Sequence, residues 1–259
     1  MIKEYTEQSL KEAKIARSEI VKKQTRFIGI ESPADYGLYL KNYANCLLNR
    51  QVDIFDDSVF LLDNNKIPSA CTISRGMIET YAFSKLLSHK IAKTLINKKG
   101  KESTQACIEL ILAFTNSSRA KQGEQEKLKS GTFKLEDYHF TDQAKNRMEN
   151  MLASSEHVMN ALRALYKEEL SHTKSAESGF EQAYDVLSEW VHPSQTSIFH
   201  NYVKETHIIP TSFGDIHFLD SAKASCVRAL HFITDSMNIY NWTNELADEL
   251  SVRCNKIRE

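Results

Sequence analysis

Apolar residues recur every three or four positions along most of this chain, the spacing that places them on one face of an α-helix. In the stretch from 32 to 62, Tyr36, Tyr39 and Leu40 follow this rule. A charged amphipathic segment over residues 2–27 follows it at the N-terminus. The pattern predicts an all-α fold, a multi-helix bundle in which each helix buries one apolar face.

Capping residues and prolines indicate where these helices begin and end. Ser32 is a candidate N-cap, Pro33 suits the first helical position, and Asp35 puts negative charge near the positive end of the helix dipole. The polar run DNNK at residues 63–66 interrupts the periodicity. Pro68 then restarts a helix, and we expect this third helix to be central to the bundle.

Three parts of the chain depart from a plain helical pattern. Residues from about 119 to 140 are polar and lack an apolar stripe, which predicts an irregular connector, and a long helix is predicted after it over 143–172. Residues 196–219 are rich in β-branched and aromatic side chains and predict a small strand pair or irregular excursion. One long helix from about Asp220 closes the fold. Because no internal repeat is apparent, we expect a single helical domain over 1–259.

The composition is typical of a helix-rich globular protein. The 259 residues are 41% hydrophobic and 26% charged, with only eight Gly and four Pro. A chain of this length can bury a core without disulfides or metals. Its five cysteines are scattered without a Cys-x-x-Cys pair, so we interpret them as reduced core thiols. The formal net charge of −1 argues against nonspecific nucleic-acid binding over the whole surface, although a local basic patch is compatible with it.

No segment of the sequence predicts secretion or membrane insertion. The N-terminus carries charges every few residues and has no apolar run, unlike a signal peptide. No stretch approaches the roughly 18 consecutive apolar residues of a membrane-spanning helix. We therefore expect a cytoplasmic protein that does not contact a membrane.

A polar cluster lies at the end of the helical run AYDVLSEWVHPSQ. On a helix, Tyr184, Ser188 and His192 stand one above another, and Glu189 precedes His192 by one turn. Pro193 disfavours helical backbone at the residue before it, so we expect the helix to end at or just before His192. The helix dipole and Glu189 both favour an imidazolium there, which could donate a proton or hold an anion. The simpler alternative is that these residues cap the helix and bind the next loop.

A second polar group interrupts an otherwise apolar helix in the run SRGMIET. Arg75 and Glu79 are four residues apart, with Thr72 one turn before them. A pair that only supported its own helix would more favourably place Glu before the cation, so this order favours a role outside the helix. A buried guanidinium must be paired, because an isolated buried charge is very unfavourable. The structural alternative is an internal Arg75–Glu79 salt bridge or a solvated face.

These two motifs give the sequence a resemblance to a group of known proteins. The motif Ser-Arg-x-x-x-Glu-Thr at Ser74 to Thr80, followed by Tyr-x-x-x-Ser-x-x-x-His-Pro at Tyr184 to Pro193, resembles an uncharacterised bacterial all-helical family. That family is similar to the HEPN (higher eukaryote and prokaryote nucleotide-binding) helical bundles, several of which are dimeric RNases in phage defence and toxin systems. The resemblance implies a homo-oligomer, expected to be a homodimer, that acts in a bacterial defence or toxin–antitoxin system. The usual HEPN nuclease signature places Arg close to His on one helix, and no such arginine stands near His192.

Other catalytic signatures are absent from the sequence. It contains no Gly-rich phosphate loop, no His-Glu-x-x-His and no Gly-x-Ser-x-Gly. His200, His207 and His217, with Asp215, fall within the predicted excursion and could converge on a metal, but their spacing matches no familiar site. We therefore expect neither a metal nor a cofactor.

Three functions are compatible with these residues. The first is a metal-independent RNA endonuclease or related phosphoryl-transfer enzyme. In it Arg75 stabilises phosphate charge, Glu79 orients Arg75 or acts as base, and His192 is the general acid or base. The second is a noncatalytic bundle that binds a nucleotide or other small anion. The third is a structural or interaction protein whose polar cluster only fixes helix packing. The sequence favours an anion-handling site over catalysis. The further residues expected to contact the RNA or nucleotide are Tyr184, Ser188 and Glu189.

Overall fold

The computed structural model describes residues 2–26, 35–115, 155–199 and 216–256. These ranges are almost entirely helical and contain no strand, which confirms the predicted all-α multi-helix bundle. None of their helices is both long and apolar enough to cross a membrane. The helices are α1 (Ile2–Ser18), α2 (Tyr36–Asp63), α3 (Ile67–Asn97), α4 (Gly100–Thr115), α5 (Val158–Thr173), α6 (Gly179–Val191), α7 (Gln195–Phe199), α8 (Ile216–Leu230) and α9 (Ile233–Lys256).

The predicted break between the second and third helices is confirmed, and the cap of α2 is corrected. α2 ends at Asp63, and α3 begins at Ile67 with Pro68 in its first turn. The N-cap of α2 is Asp35, whose Oδ1 accepts the main-chain N–H of Leu38 at 3.0 Å. Asp35 therefore does more than bring charge to the dipole, since its carboxylate satisfies a free N–H of the first turn. The predicted cap, Ser32, lies outside the described residues.

Several predicted boundaries are wrong. The first helix ends at Ser18, and residues 20–26 are non-helical. At the C-terminus, the predicted single helix is divided at His231 and Phe232 into α8 and α9. The predicted excursion over 196–219 is helical at both of its described ends, in α7 and α8, and its remainder lies outside the described residues. The predicted helix over 143–172 is also wrong at its start, because residues 155–157 are non-helical and α5 begins at Val158 with His157 as its N-cap. The connector at 119–140 lies outside the described residues.

α3 is the central helix, as the sequence predicts. It contacts α2, α4, α5, α6, α8 and α9, so most of its surface is covered, although a strip beside α6 and its last turns reach solvent. Its fully buried side chains include Met77, Ile78, Leu87 and Ile91. A helix surrounded by so many neighbours can carry polar side chains only where those neighbours supply hydrogen-bond partners.

α2 and α9 form the most extensive helix pair, and a glycine allows them to approach closely. Gly37 is buried in the first turn of α2. A Cβ atom there would collide with the main-chain oxygen of Ala247 and the hydroxyl of Ser251, both on α9. The same hydroxyl donates to Asp35 at 2.6 Å, so the α2 cap is held by α9.

All five cysteines lie within the described residues and none forms a disulfide, and the interpretation of them as core thiols is correct for four. Cys46 is exposed, because it lies on the outer face of α2. Cys71 on α3 and Cys226 on α8 bring their Sγ atoms to 3.5 Å in the core between these helices. The hydrogen bond with Cys226, together with burial, raises the pKa of the Cys71 thiol far above its ordinary value, so it stays protonated.

The chain returns from α1 toward the start of α2 along the surface of α2, and asparagines of α2 hold its main chain. Asn49 accepts the N–H of Lys23 at 2.7 Å and donates to the carbonyl of the same residue at 2.8 Å. Asn42 likewise accepts the N–H of Arg26 and donates to its carbonyl, both at 2.8 Å. We call residues 20–26 the N-terminal strap.

A third asparagine completes this ladder and connects it to α9. Asn45 donates to the main-chain oxygen of Gln24 at 3.0 Å and accepts the hydroxyl of Tyr240 at 2.9 Å. The ammonium of Lys23 lies 5.4 Å from the centre of the Tyr240 ring, within cation–π range. The asparagine ladder therefore binds main-chain atoms of the strap. The Lys23 side chain adds a contact with the Tyr240 ring.

Ion pairs also connect the N-terminal segment to α2. They are exposed, so each contributes only about 0–1 kcal/mol, but together they fix the orientation of the segment. The three pairs are Lys14–Asp63, Arg17–Asp56 and Lys22–Asp53.

We predict that Asn49→Ala lowers the free energy of unfolding by about 1–2 kcal/mol, because two hydrogen bonds to the strap are lost. Denaturant unfolding measures the loss, and amide hydrogen exchange should show faster exchange at Lys23. Asn238→Ala is the matched control, since among the described residues its only side-chain hydrogen bond is a 3.5 Å contact within α9. An Asn49→Ala protein as stable as this control would show that the ladder does not hold the strap.

Candidate functional site

Arg75 and Glu79 lie on the strip of α3 that reaches the surface beside α6. The Nε of Arg75 donates to Oε1 of Glu79 at 3.0 Å, and the two side chains are 24% and 27% exposed. This salt bridge was one of the structural alternatives considered for the pair. Because both groups are largely buried, each needs the other to offset the loss of water.

Tyr184 of α6 joins this pair across the interface between the two helices. Its hydroxyl accepts a hydrogen bond from Nη2 of Arg75 at 2.7 Å and donates one to Oε1 of Glu79 at 3.0 Å. The guanidinium carbon of Arg75 lies 4.7 Å from the centre of the Tyr184 ring. Arg75, Glu79 and Tyr184 thus form a closed cluster, the Arg75 triad, from residues more than 100 positions apart in sequence.

The protonation state of Tyr184 follows from this setting. Burial raises the pKa of its phenol to about 12, and the carboxylate of Glu79 acts in the same direction, whereas Arg75 opposes the rise. Tyr184 is therefore a neutral hydroxyl near pH 7. A neutral phenol can donate to Glu79 and accept from Arg75 at once, as the observed geometry requires.

A second tyrosine lies near the triad and was not singled out from the sequence. Tyr166 of α5 is 6% exposed, and its hydroxyl has no hydrogen-bond partner among the described residues. Burial raises the pKa of its phenol, and nearby Tyr184 adds to the rise. Nothing in the local sequence distinguishes Tyr166 from a core aromatic of an amphipathic helix, because its proximity to Tyr184 depends on how α5 and α6 pack.

Arg50 of α2 is another residue that the sequence motifs did not identify. It lies on the other side of the exposed strip of α3 and donates from Nε to the hydroxyl of Thr80 at 3.2 Å. Thr80 belongs to the same motif as Arg75 and Glu79. Residues of this motif therefore bind two arginines. Glu79 binds Arg75 of the same helix, and Thr80 binds Arg50 of α2.

The structure places His192 apart from the triad. α6 ends at Val191 and His192 is its C-cap, which confirms the predicted helix end. The residue is exposed, and its imidazole has no hydrogen-bond or ion-pair partner among the described residues. Eight residues separate Tyr184 from His192, a rise of about 12 Å along a helix. The structure does not bring His192 to Arg75 and Glu79.

The two remaining candidates have local roles in α6. Ser188 donates to the main-chain oxygen of Tyr184 at 2.7 Å, a bond within the helix that keeps its hydroxyl on the Tyr184 side. Glu189 is exposed, and its main-chain oxygen accepts the hydroxyl of Ser194 at 2.7 Å. The carboxylate of Glu189 forms no ion pair with His192.

The described residues contain no group of three or more His, Cys, Asp or Glu side chains that could hold a metal ion. Of the histidines considered as metal ligands, His200 and His207 lie outside the described residues, as does Asp215. The side chain of His217 lies outside them too. Convergence of these residues therefore stays a hypothesis from the sequence.

No protein-family model matches this chain, and no curated protein or solved structure does either. The similarity of its two motifs to the HEPN bundles thus stays a prediction from the sequence.

We predict that Arg75→Ala lowers the free energy of unfolding by about 1.5–3 kcal/mol. It leaves the partly buried carboxylate of Glu79 without its cation, and hydrogen bonds to charged groups contribute about this much. Thermal melts beside Arg163→Ala provide the test, since Arg163 is an exposed arginine on α5 and its loss changes the net charge equally. Equal melting temperatures for the two variants would mean that the triad does not stabilise the fold.

We predict that stability falls more steeply between pH 10 and 12 in the parent than in Tyr184→Phe, because the folded pKa of Tyr184 is about 12. The ordinary tyrosine pKa is about 10, so the folded protein keeps this proton at a pH where the unfolded chain releases it. The contribution is complete below pH 10 and is lost as pH rises toward 12. At pH 11 the extra loss in the parent should be about 1 kcal/mol.

Denaturant unfolding at intervals from pH 9 to pH 11 measures this difference in slope. The other buried tyrosines are present in both proteins, so their contributions to the pH dependence cancel in the comparison. Parallel pH profiles for the parent and Tyr184→Phe would contradict the assignment.

Proposed function

We propose that this protein binds a phosphate-bearing ligand, RNA or a nucleotide, at the Arg75 triad. The ligand would contact the guanidinium of Arg75 on the exposed strip of α3, between α2 and α6. Tyr184 and Ser188 would lie at the edge of this site. The similarity of the motifs to HEPN bundles is what supports a role in a bacterial defence or toxin–antitoxin system, and homo-oligomer formation is part of the same prediction.

The observation that carries the proposal is the geometry of Arg75. Its guanidinium is held by Glu79 and by the hydroxyl of Tyr184, and it stacks on the Tyr184 ring. These contacts use two of the five N–H donors that a guanidinium offers, and the side chain is 24% exposed. A planar fork fixed in advance, whose other donors have no partner among the described residues, is an arrangement that binds phosphate oxygens well.

Glu79 has two opposing effects on such a ligand. It fixes the orientation of Arg75, which reduces the entropy lost on binding. Its carboxylate also offsets the positive charge of the guanidinium, so the triad as a whole is close to neutral. The proposal therefore assigns Glu79 a positioning role and expects the ligand to gain affinity from directed hydrogen bonds.

Catalysis would need a second group to move a proton, and His192 is the residue proposed for it. An imidazole at a helix C-terminus is suited to general acid–base chemistry. Because it is separated from Tyr184 by about two helical turns, or about 12 Å, only an extended ligand such as an RNA strand could contact both. A nucleotide bound at Arg75 would meet His192 only if it lay along α6.

A noncatalytic structural or interaction role is the second candidate, and one observation favours it. The triad is closed on itself, since each of Arg75, Glu79 and Tyr184 contacts the other two. A cluster of this kind can fix α6 against α3 without any ligand. Its value to the protein would then lie in specifying the packing of these helices.

Ligand titration of purified variants separates these functions. We predict that Arg75→Gln weakens binding of a nucleotide and of a short oligoribonucleotide by at least about tenfold, because a charge-assisted bidentate contact is lost. Glu79→Gln should weaken binding less. His192→Ala should retain binding and abolish any RNA cleavage that the parent shows.

The outcomes are distinct. A parent protein that binds neither class of ligand, with Arg75→Gln destabilised, would support the structural role alone. Binding that survives Arg75→Gln in a folded variant would mean that the ligand contacts another part of the molecule. Circular dichroism of each variant establishes that it is folded.

A further inference from the structure

The side chain of Arg50 lies over the turn of α3 that carries Arg75. Its Nε donates to the hydroxyl of Thr80 at 3.2 Å, and that hydroxyl donates in turn to the main-chain oxygen of Gly76 at 2.7 Å. Because the proton of Thr80 is committed to Gly76, its oxygen lone pairs face Arg50. Nε of Arg50 is thereby anchored, and its two Nη groups have no partner among the described residues.

Gly76 lies next to the side chains of Arg50 and Ile54. A Cβ atom at this position would lie 3.9 Å from Nη2 of Arg50 and 3.3 Å from Cδ1 of Ile54. Gly76 follows Arg75 directly in the chain, so the guanidinium of Arg50 lies above the residue next to Arg75. The two arginines approach the same exposed strip of α3 from opposite sides, one from α2 and one from α3 itself.

No carboxylate in the part of the chain that the structure describes offsets the charge of Arg50. Among the described residues it forms no ion pair, although it is exposed and lies on a helix rich in aspartate. The nearby aspartates Asp53 and Asp56 are bound by Lys22 and Arg17 of the N-terminal segment. Those ion pairs leave Arg50 as a cation held in a fixed place by a hydroxyl, with its Nη groups available.

We propose that Arg50 is a second phosphate-binding residue of the Arg75 site and that the ligand carries two phosphoryl groups. This inference rests on the proposed function. The Arg75 triad is close to neutral, so one phosphoryl group would gain directed hydrogen bonds there but little net attraction. Arg50 supplies the positive charge that a second phosphoryl group requires. A nucleoside diphosphate and two successive phosphates of an RNA strand share this chemistry.

The test compares a nucleoside monophosphate, the matching diphosphate and a short oligoribonucleotide as ligands, using titration calorimetry on the full chain. The parent should bind the diphosphate at least about tenfold more tightly than the monophosphate, as expected for one added charged contact. Arg50→Gln should reduce this preference to about twofold or less while monophosphate affinity stays nearly constant. Tighter binding of the oligoribonucleotide than of the diphosphate would identify RNA as the source of the phosphates, and the reverse order would identify a free nucleotide.

Two further variants control for charge and for folding. Arg163→Gln removes an exposed arginine of α5 that forms no ion pair among the described residues, and it should leave the preference unchanged. Thr80→Val keeps Arg50 but removes its anchor, in a side chain of similar shape, and should reduce the preference part of the way. Thermal melts identify any variant that fails to fold.

Failure of this inference differs from failure of the proposed function. If Arg75→Gln abolishes binding but Arg50→Gln leaves the preference for the diphosphate unchanged, Arg50 does not contact the ligand and the Arg75 site stands. If the parent binds none of the three ligands, both proposals are overturned. An equal loss of preference in Arg163→Gln would mean that only the overall charge matters, which also overturns the role of Arg50.

Discussion

The enclosure of α3 by six other helices is the constraint on which the rest of the structure depends. Nearly every side chain of this helix meets another part of the protein, so a charged residue on it is tolerable only where a neighbouring helix satisfies it. Arg75 meets this condition through Glu79 and through the hydroxyl of Tyr184. The same enclosure leaves an exposed strip between α2 and α6, on which Arg75 and Glu79 lie.

Much of the fold follows from local signals that the sequence carries. Period-3.6 patterning predicts the helices, and Pro68 and Pro193 mark the start of α3 and the end of α6. What the pattern misses depends on tertiary contacts. Residues 20–26 continue an amphipathic pattern yet leave the helix, because asparagines of α2 offer their main chain an alternative set of hydrogen bonds. The division at His231 has no proline or glycine to announce it.

Only part of the site could be predicted from the sequence. Arg75 and Glu79 are one helical turn apart, so their contact is inherent in the sequence, and Tyr184 stood out as one of a row of polar residues on one helix face. Arg50 could not be found in this way. Its side chain contacts Thr80 only because α2 packs beside α3 at a particular register. That register cannot be deduced from the residues around Arg50 in the sequence. His192 is the opposite case. The sequence correctly places it on the same helix as Tyr184, but two residues on one helix need not belong to one site.

The asparagine ladder has a consequence for how this chain can change over evolutionary time. Asn42, Asn45 and Asn49 bind main-chain atoms, so the side chains of most strap residues are not selected by the contact. Substitutions should therefore be tolerated at strap positions whose side chains make no contact, whereas Ile20 is buried in the core and Lys22 pairs with Asp53. Proline at Lys23 or Arg26 would also be excluded, because the ladder uses those two main-chain N–H groups. Among related chains, we expect the three asparagines of α2 to be retained while the residues of the strap vary. A comparison based on identical residues would then show little similarity in the segment that joins α1 to the bundle.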